Sequence, residues 1–281
     1  MTSTPTLTFN DGNTIPQIGY GVWQVEDGVA EMVVRQAFEA GFRHIDTAKI
    51  YGNEAGVGRA IASSALRPEE IFITTKLWNA DQGYEATLAA FEESMDRLGL
   101  ETLDLYLIHW MQPKQDKYAD TWKALIELQK RGRVRSIGVS NFTVEGLQRL
   151  IDETGVVPAI HQIELHPYFS QRELREFGAA QGILTQAWSP LGQGGELLDD
   201  AVIAAIAAKH QATSAQVVIA WHLAIGNVVI PKSVTESRIR ENFAALDVAL
   251  DEDDISAING LDGTARGEGR IGSDPAVSDF A

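Results

Sequence analysis

The stretch GFRHIDTAKIYGNE, residues 41–54, decides the fold, because a helix end, a strand and a polar loop follow one another within it. Gly41 suits the position that closes a preceding amphipathic helix. The apolar run 42–45 is too short for a helix and predicts a strand. That strand leads to an acid, Asp46, and a phenol, Tyr51, before the sequence NEAGVGRAIA returns to helical spacing. The order helix, strand, polar loop, helix predicts a repeating α/β unit.

The same unit recurs along the chain. Apolar runs that are mostly continuous indicate strands covered on both faces, and helical patterns separate them. Alternation of strand and helix this many times predicts an α/β protein with a (β/α)8 TIM barrel. With residues 42–45, the eight predicted strands are 19–23, 71–77, 103–109, 134–139, 159–163, 183–188 and 228–230.

Additional elements are expected at both ends of the barrel. A β-hairpin at about residues 6–17 is indicated by Asp11-Gly12 between extended segments. The acidic run 251–254 predicts the first turn of an extra C-terminal helix. No linker is visible, so we predict one domain over residues 1–281, with the barrel at about 19–245 and a C-terminal helix and tail at 250–281. The alternative, an open doubly wound sheet, would need an early phosphate loop, and neither GxGxxG nor GxxxxGK[ST] occurs.

Composition excludes several classes of protein. The chain has 281 residues, 44% of them hydrophobic, which is enough to bury a large core. It contains no cysteine, which excludes disulfides, thiolate metal sites and cysteine nucleophiles. A net charge of -16 argues against nucleic acid and acidic membranes as partners. Nothing reads as a signal peptide or a membrane span, so we expect a cytoplasmic protein. We also expect a monomer.

Polar residues fall where the barrel interpretation requires them. Active sites of such barrels lie at the C-terminal ends of the strands. Each of the following positions comes at the end of a different predicted strand: Asp46, Lys76, His109, Ser140-Asn141, Gln162-Glu164, Trp188 and Lys232-Ser233.

Three of these groups, Asp46, Lys76 and His109, together with the phenol of Tyr51 suit the protonation of an oxyanion. The pKa of a free tyrosine is about 10. A lysine ammonium about 4 Å away, at an effective dielectric of about 20, would stabilise the phenolate by about 4 kcal/mol. We therefore predict that Lys76 lowers the pKa of Tyr51 towards working pH, that Asp46 holds Lys76 charged, and that His109 donates a hydrogen bond to a carbonyl oxygen. No side chain can deliver hydride, which implies a nicotinamide cofactor, and no metal-binding spacing such as HExxH is present.

The chain resembles the aldo-keto reductases from end to end, and it is most similar to the bacterial 2,5-diketo-D-gluconic acid reductases. Besides residues 41–54, the resemblance is carried by ITTKLW (73–78), DLYLIHW (104–110), IGVSNF (137–142), QIELHP (162–167), WSPLGQG (188–194) and IPKSVTESRIRENF (230–243). It implies that Asp46, Tyr51, Lys76 and His109 form a catalytic tetrad with Tyr51 as proton donor.

The segment KSVTESRIR, 232–240, gathers three cations after a strand and at a helix start, which favours an anion. The resemblance implies that this anion is the 2′-phosphate of NADPH, held by Lys232, Ser233 and Arg238, with Glu241 and Asn242 at the adenine. It also implies that Ser140, Asn141 and Gln162 hold the carboxamide, that Trp188 stacks on the nicotinamide, and that Gly192, Gln193 and Gly194 lie over the pyrophosphate. Further cofactor contacts are expected from Val22, Ser189, Leu191, Val234 and Thr235.

The expected substrates are small carbonyl compounds. Trp23, Trp78 and Trp110 each follow a predicted strand and, with His109, would surround the carbonyl. Keto-sugar acids such as 2,5-diketo-D-gluconate and dicarbonyls like methylglyoxal both remain open. So do two other classes of function: an NADPH-binding redox sensor with little turnover, and a lyase that forms a Schiff base on Lys76. The sequence departs from the family at Met111, where proline is common, and at His161, where asparagine is usual.

Overall fold

A computed structural model describes residues 4–264 and 269–280 of the chain. Its first elements are the strands β1 (Thr6–Thr8) and β2 (Thr14–Pro16), which pair antiparallel. Gly12 in the turn has φ +88°, a conformation that glycine adopts without strain. Phe9 and Ile15 are buried against Leu105 and Leu107 of the barrel. The predicted hairpin is confirmed.

Eight parallel strands then follow in sequence order, each paired with the next. This unbroken order is that of a barrel and differs from a doubly wound sheet, in which the strand order reverses. The strands are β3 (Tyr20–Gly21), β4 (His44–Asp46), β5 (Phe72–Leu77), β6 (Leu103–Ile108), β7 (Val134–Ser140), β8 (Ile160–Glu164), β9 (Leu184–Trp188) and β10 (Val228–Val229).

The barrel closes between the first and last of these strands. Ile18 forms a parallel bridge with Val229. The N–H of Gly19 donates to the carbonyl of Val229 at 2.8 Å, and the N–H of Val229 donates to the carbonyl of Gln17 at 2.9 Å. β3 and β10 are shorter than predicted because only a few residues pair regularly at this seam. A Cβ on Gly21 would lie 3.1 Å from the carbonyl oxygen of Ile230, so the two chains approach closely there.

Helices surround the barrel. In α1 the buried residues Val33, Val34, Ala37 and Phe38 face the strands, and the helix ends at Gly41 with φ +117°, as the sequence predicts. The helices are α1 (Asp27–Ala40), α2 (Glu54–Ala62), α3 (Tyr84–Leu98), α4 (Tyr118–Lys130), α5 (Val144–Thr154), α6 (Arg172–Ala180), α7 (Ala201–His210), α8 (Ser214–Ala224), α9 (Glu236–Phe243) and α10 (Glu252–Asn259).

The acidic run at 251–254 does start a C-terminal helix. The carboxylate of Asp251 accepts the N–H of Asp254 at 3.0 Å and caps α10. Asp254 is itself paired with Lys209, at 2.8 Å, so the run also ties α10 to α7. Among the helices of the described residues, none combines the length and apolarity needed to cross a membrane.

Candidate active site

A groove of about 1340 Å³ opens at the C-terminal ends of the strands, where a barrel of this kind places its chemistry. One end is aromatic and includes Tyr51 and His109, and the other end includes the cations Lys232 and Arg238. This volume exceeds the usual range for a single small ligand, about 300 to 1,000 Å³. The groove therefore has room for a large ligand and a small one together.

A buried ion pair lies behind the aromatic end. Lys76 in β5 is 0% exposed, and its Nζ donates to Asp46 Oδ1 at 2.5 Å and to the carbonyl of Thr47 at 2.9 Å. The third neighbour of Nζ is the hydroxyl of Tyr51, at 3.4 Å. Burial by itself lowers the pKa of Lys76, but the Asp46 carboxylate and Tyr51 outweigh burial and raise it. Lys76 is therefore a fixed ammonium, as predicted.

Gln162 in β8 completes the surroundings of the pair. Its Nε2 donates to the second oxygen of Asp46 at 2.7 Å and to Gln186 Oε1 at 3.1 Å. Asp46 thus accepts one hydrogen bond on each carboxylate oxygen, which holds it in a single orientation. The sequence pattern placed Gln162 at a strand end but did not indicate this contact.

Tyr51 ends a short 3-10 turn, Lys49–Tyr51, that is closed by Gly52 with φ +67°. Burial raises the pKa of its phenol, Lys76 opposes that effect, and the negative charge of Asp46 adds to it. The net direction is upward, so the predicted fall of the Tyr51 pKa towards working pH is wrong. At neutral pH the site holds a protonated phenol, which is the form that donates a proton.

His109 is held as a neutral imidazole. Burial, and secondly the charge of Lys76, keep its pKa well below the usual 6.5. Its ring packs edge-on against Tyr51, with centroids 5.7 Å apart, and against Trp78, with centroids 5.3 Å apart. A neutral imidazole carries one N–H, so His109 is able to donate a single hydrogen bond beside the phenol.

Trp188 and Asn141 form the wall next to this group. The indole N–H of Trp188 donates to Asn141 Oδ1 at 2.8 Å. The Asn141 side-chain amide donates to the His109 carbonyl and to Ser140 Oγ, both at 3.0 Å. Two of the three side chains predicted to meet a carboxamide, Ser140 and Asn141, are therefore hydrogen-bonded to each other and lie in the groove lining with Trp188. The third, Gln162, bonds to Asp46 and Gln186 instead.

The far end of the groove fits a phosphate-bearing ligand. Lys232 and Arg238 line it, and neither forms an ion pair within the described part of the chain. Two cations without carboxylate partners are unexpected in so acidic a protein, and phosphate oxygens would satisfy them. Nearby Glu241 accepts a hydrogen bond from Thr213 at 2.8 Å. The contribution of Thr213, Ser214 and Ala215 to this end was not predicted.

Most of the sequence-predicted residues line the groove. Lys76 lies behind the lining, in contact with Tyr51, as described above. Val22 is also buried behind it, where its carbonyl accepts the side-chain amide of Asn53 at 2.9 Å. Gly192, Val234 and Thr235 likewise fall outside the lining. The lining includes Trp23, Asp46, Tyr51, Trp78, His109, Trp110, Ser140, Asn141, Gln162, Trp188, Ser189, Leu191, Gln193, Gly194, Lys232, Ser233, Arg238, Glu241 and Asn242.

The C-terminal segment supplies a residue that the sequence did not suggest. Phe280 lines the groove, with its ring centroid 5.0 Å from that of Trp110 and 6.0 Å from that of Trp78. Asn79 Nδ2 donates to the Phe280 carbonyl at 2.9 Å and holds it there. Phe280 therefore adds an aromatic ring beside two of the three predicted tryptophans, Trp78 and Trp110.

The two unusual residues, Met111 and His161, lie beneath the loop that carries Asn141. His161 Nε2 accepts the N–H of Phe142 at 3.1 Å, and burial lowers the pKa of His161 to about 3. Met111 packs under α5, where a Cβ on Gly146 would lie 2.3 Å from its sulfur. Within residues 4–264 and 269–280, no group of three or more His, Asp or Glu side chains could hold a metal ion.

Comparison with known proteins adds independent findings. Residues 17–262 match the aldo/keto reductase family. The chain is 55% identical to an aldo-keto reductase of Mycolicibacterium smegmatis, over 98% of each chain. It is 51% identical to methylglyoxal reductase DkgA of Salmonella typhimurium, over 98% of each chain. The crystal structure of a mutant of Gox0644 in complex with NADPH superposes with a TM-score of 0.94 at 50% identity, covering 99% of this chain and 100% of that one.

Proposed function

The chain belongs to the aldo/keto reductase family, and we propose that it reduces small aldehydes and ketones to alcohols with Tyr51 as the proton donor. The observation that carries the proposal is the buried Lys76–Asp46 pair within 3.4 Å of a phenol that stays protonated at neutral pH. The protein is an NADP-dependent oxidoreductase that acts on carbonyl groups. The identity of the carbonyl substrate and the catalytic roles of the individual residues are what we propose.

The groove accounts for the cofactor. NADPH, when bound, supplies the hydride. Lys232, Ser233 and Arg238 would hold its 2′-phosphate, and Glu241 and Asn242 would meet the adenine. Gln193 and Gly194 also line the groove, and the pyrophosphate would pass along them. Ser140, Asn141, Gln162 and Trp188 would surround the nicotinamide.

The chain's own groups would handle the substrate oxygen. The neutral N–H of His109 orients the carbonyl, and the Tyr51 hydroxyl gives its proton as negative charge develops on that oxygen. Lys76 stabilises the phenolate that is left. Gln162 fixes the Asp46 carboxylate by donating to one of its oxygens, and Asp46 in turn holds the Lys76 ammonium through the other oxygen. Lys76 has no exposure, and Asp46, Thr47 and Tyr51 surround its ammonium, which disfavours a Schiff-base lyase.

The aromatic end of the groove suits a small carbonyl compound. Trp78 and Trp110 both pack against Phe280, and Trp78 also packs against the His109 ring, so aromatic side chains bound this end of the groove. Dicarbonyls like methylglyoxal come first among the proposed substrates, since the relatives named DkgA are methylglyoxal reductases. Keto-sugar acids such as 2,5-diketo-D-gluconate come second. We also propose that the protein is cytoplasmic and acts as a monomer.

Oxidation of NADPH by the wild type, Tyr51→Phe and Tyr106→Phe tests the function. The substrate panel would contain methylglyoxal, aromatic aldehydes and 2,5-diketo-D-gluconate. Removing a positioned proton donor is worth about 10² to 10⁴ in kcat, and we expect that loss in Tyr51→Phe. Tyr106→Phe is a matched control, because its buried hydroxyl has no hydrogen-bond partner among the described residues. Equal rates in the wild type and Tyr51→Phe would refute the assignment, and tight NADPH binding without turnover would favour a redox sensor.

A further inference from the structure

Glu164 is a buried carboxylate for which the proposed reaction has no use. It is the last residue of β8 and only 1% exposed. It lies two residues after Gln162, so its side chain points to the same face of the strand, towards the groove. Burying a carboxylate is costly unless hydrogen bonds compensate for the lost water. The hydrogen-bond partners of Glu164 therefore indicate which part of the structure this carboxylate stabilises.

Those partners belong to the end of the chain. We call residues 271–280 the C-terminal strap. Glu164 Oε1 accepts the backbone N–H of Ile271 at 2.6 Å, and Glu164 Oε2 accepts the next one, from Gly272, at 2.7 Å. His166 Nε2 lies 3.2 Å from Oε1. Two successive backbone donors are thus held by the two oxygens of one carboxylate, which fixes both the position and the direction of the strap at this point.

The strap is pressed against Trp188 at the same place. A Cβ on Gly272 would lie 2.5 Å from Trp188 Cη2 and 3.0 Å from Glu164 Oε2. Only a residue without a side chain leaves room for both contacts. The other edge of the same indole is held by its hydrogen bond to Asn141. Trp188 is therefore clamped between Asn141 and the strap.

From this anchor the strap runs to the aromatic end of the groove. Ile271 and Ser273 line the groove near Trp188, and Phe280 lines it beside Trp110. A strap released at Glu164 would loosen one wall of the carbonyl pocket. The contacts of Lys76 with Asp46, Thr47 and Tyr51 do not involve the strap, so the proton donor would stay in place.

We propose that Glu164 is a positioning residue that fixes the C-terminal strap against Trp188 and thereby sets the affinity of the carbonyl pocket for its substrate. Its loss acts on KM and leaves the chemical step largely intact. The kinetic part of this inference rests on the proposed function, whereas the position of the strap is measured without turnover.

The first test is Glu164→Gln, which replaces one acceptor oxygen by an NH2 group that faces a backbone N–H. Hydrogen exchange of peptides that cover residues 270–274 should become about tenfold faster, the factor expected from one lost charge-assisted hydrogen bond. The KM for the best carbonyl substrate should rise about tenfold, and kcat should stay within about threefold of the wild type.

Asp104→Asn is the matched control. The Asp104 carboxylate also accepts a backbone N–H, that of Ile73 at 2.9 Å, and it is also largely buried, but it lies near the start of β6 and away from the strap. We expect this variant to lose stability without a change in strap exchange or in KM. A KM increase in Asp104→Asn equal to that in Glu164→Gln would overturn the proposal.

Gly272→Ala provides a second, independent variant that keeps Glu164. The φ of Gly272 lies outside the left-handed region, so the added methyl group acts through its steric contacts with Trp188 and with Glu164 Oε2. It should raise KM as Glu164→Gln does, and it decides the question if Glu164→Gln does not fold. Unchanged exchange of residues 270–274 in Glu164→Gln would refute the role of Glu164, even if Tyr51→Phe had already confirmed the reductase.

Discussion

Replacing Lys76 by methionine should nearly abolish turnover, because it removes the only ammonium beside the Tyr51 hydroxyl within the described part of the site. At 3.4 Å and an effective dielectric of about 20, the ammonium attracts a phenolate by about 5 kcal/mol. Tenfold in rate corresponds to about 1.4 kcal/mol, so we expect kcat to fall by about a thousandfold or more. Methionine has a similar length and is apolar, so the variant changes charge more than packing.

The same substitution should also destabilise the fold. It leaves the Asp46 carboxylate buried with Gln162 as its remaining side-chain donor. Breaking a buried ion pair in this way costs about 3 to 5 kcal/mol. The double variant Lys76→Met/Asp46→Asn removes the unpaired charge as well, so we expect it to regain much of that stability and none of the activity. The double variant thus separates a catalytic loss from a folding loss.

The assay is the rate of NADPH oxidation at saturating substrate, together with the free energy of unfolding from urea titration. Lys209→Met is the control for the change in net charge, because Lys209 pairs with Asp251 and Asp254 on the outer helices. It should keep kcat within about twofold of the wild type, as expected for a surface substitution away from the site. A kcat of Lys76→Met within about tenfold of the wild type, beside an inactive Tyr51→Phe, would refute the role given to the ammonium.

Three further outcomes are expected. Since the pKa of Tyr51 is raised, the rate of carbonyl reduction should be independent of pH near neutrality and fall only as pH rises above about 10. Alcohol oxidation needs the phenolate, so its rate should increase with pH. Profiles of rate against pH in both directions check this. Lys232→Ala and Arg238→Ala should each raise the KM for NADPH about tenfold and leave that for NADH nearly unchanged, measured at constant ionic strength. The pKa of His161 falls from 6.5 to about 3 on folding, so the unfolded chain binds the proton first and stability is lost as pH falls through that window. Thermal unfolding between about pH 7 and pH 4 should therefore show a smaller loss of stability in His161→Asn than in the wild type.

The barrel and the core of the site follow from patterns that are local in the sequence. Each strand is an apolar run a few residues long, and parallel order then requires that strand ends meet at one rim. Asp46 and Lys76, thirty positions apart, are expected to lie close together because both follow from this order of strands. The predicted hairpin, the order of the strands and this ion pair are all confirmed for that reason.

No such rule predicts the contacts made by the C-terminal strap. Asn79 and Phe280 are 201 positions apart, and Glu164 and Ile271 are 107 positions apart. The strap has no period of two or 3.6 that would assign it a face, and its anchors are backbone groups, which every sequence offers equally. The one local signal was Glu164 itself, an acid at a strand end with no cation in its motif. Its position at a strand end is visible in the sequence, whereas its partner lies 107 positions later and is marked by no pattern.

The error over Tyr51 has a different origin. The attraction of Lys76 for a phenolate can be inferred from the sequence, but burial of the phenol and the charge of Asp46 oppose it and together outweigh it in the folded site. Both oppose ionisation of the resting phenol, and neither prevents Lys76 from acting once the proton has left. An interaction that is weak in the ground state and strong as charge develops is the kind that lowers a barrier. A protonated Tyr51 in the resting site therefore favours reduction at neutral pH, because the reverse reaction would first have to ionise a buried phenol.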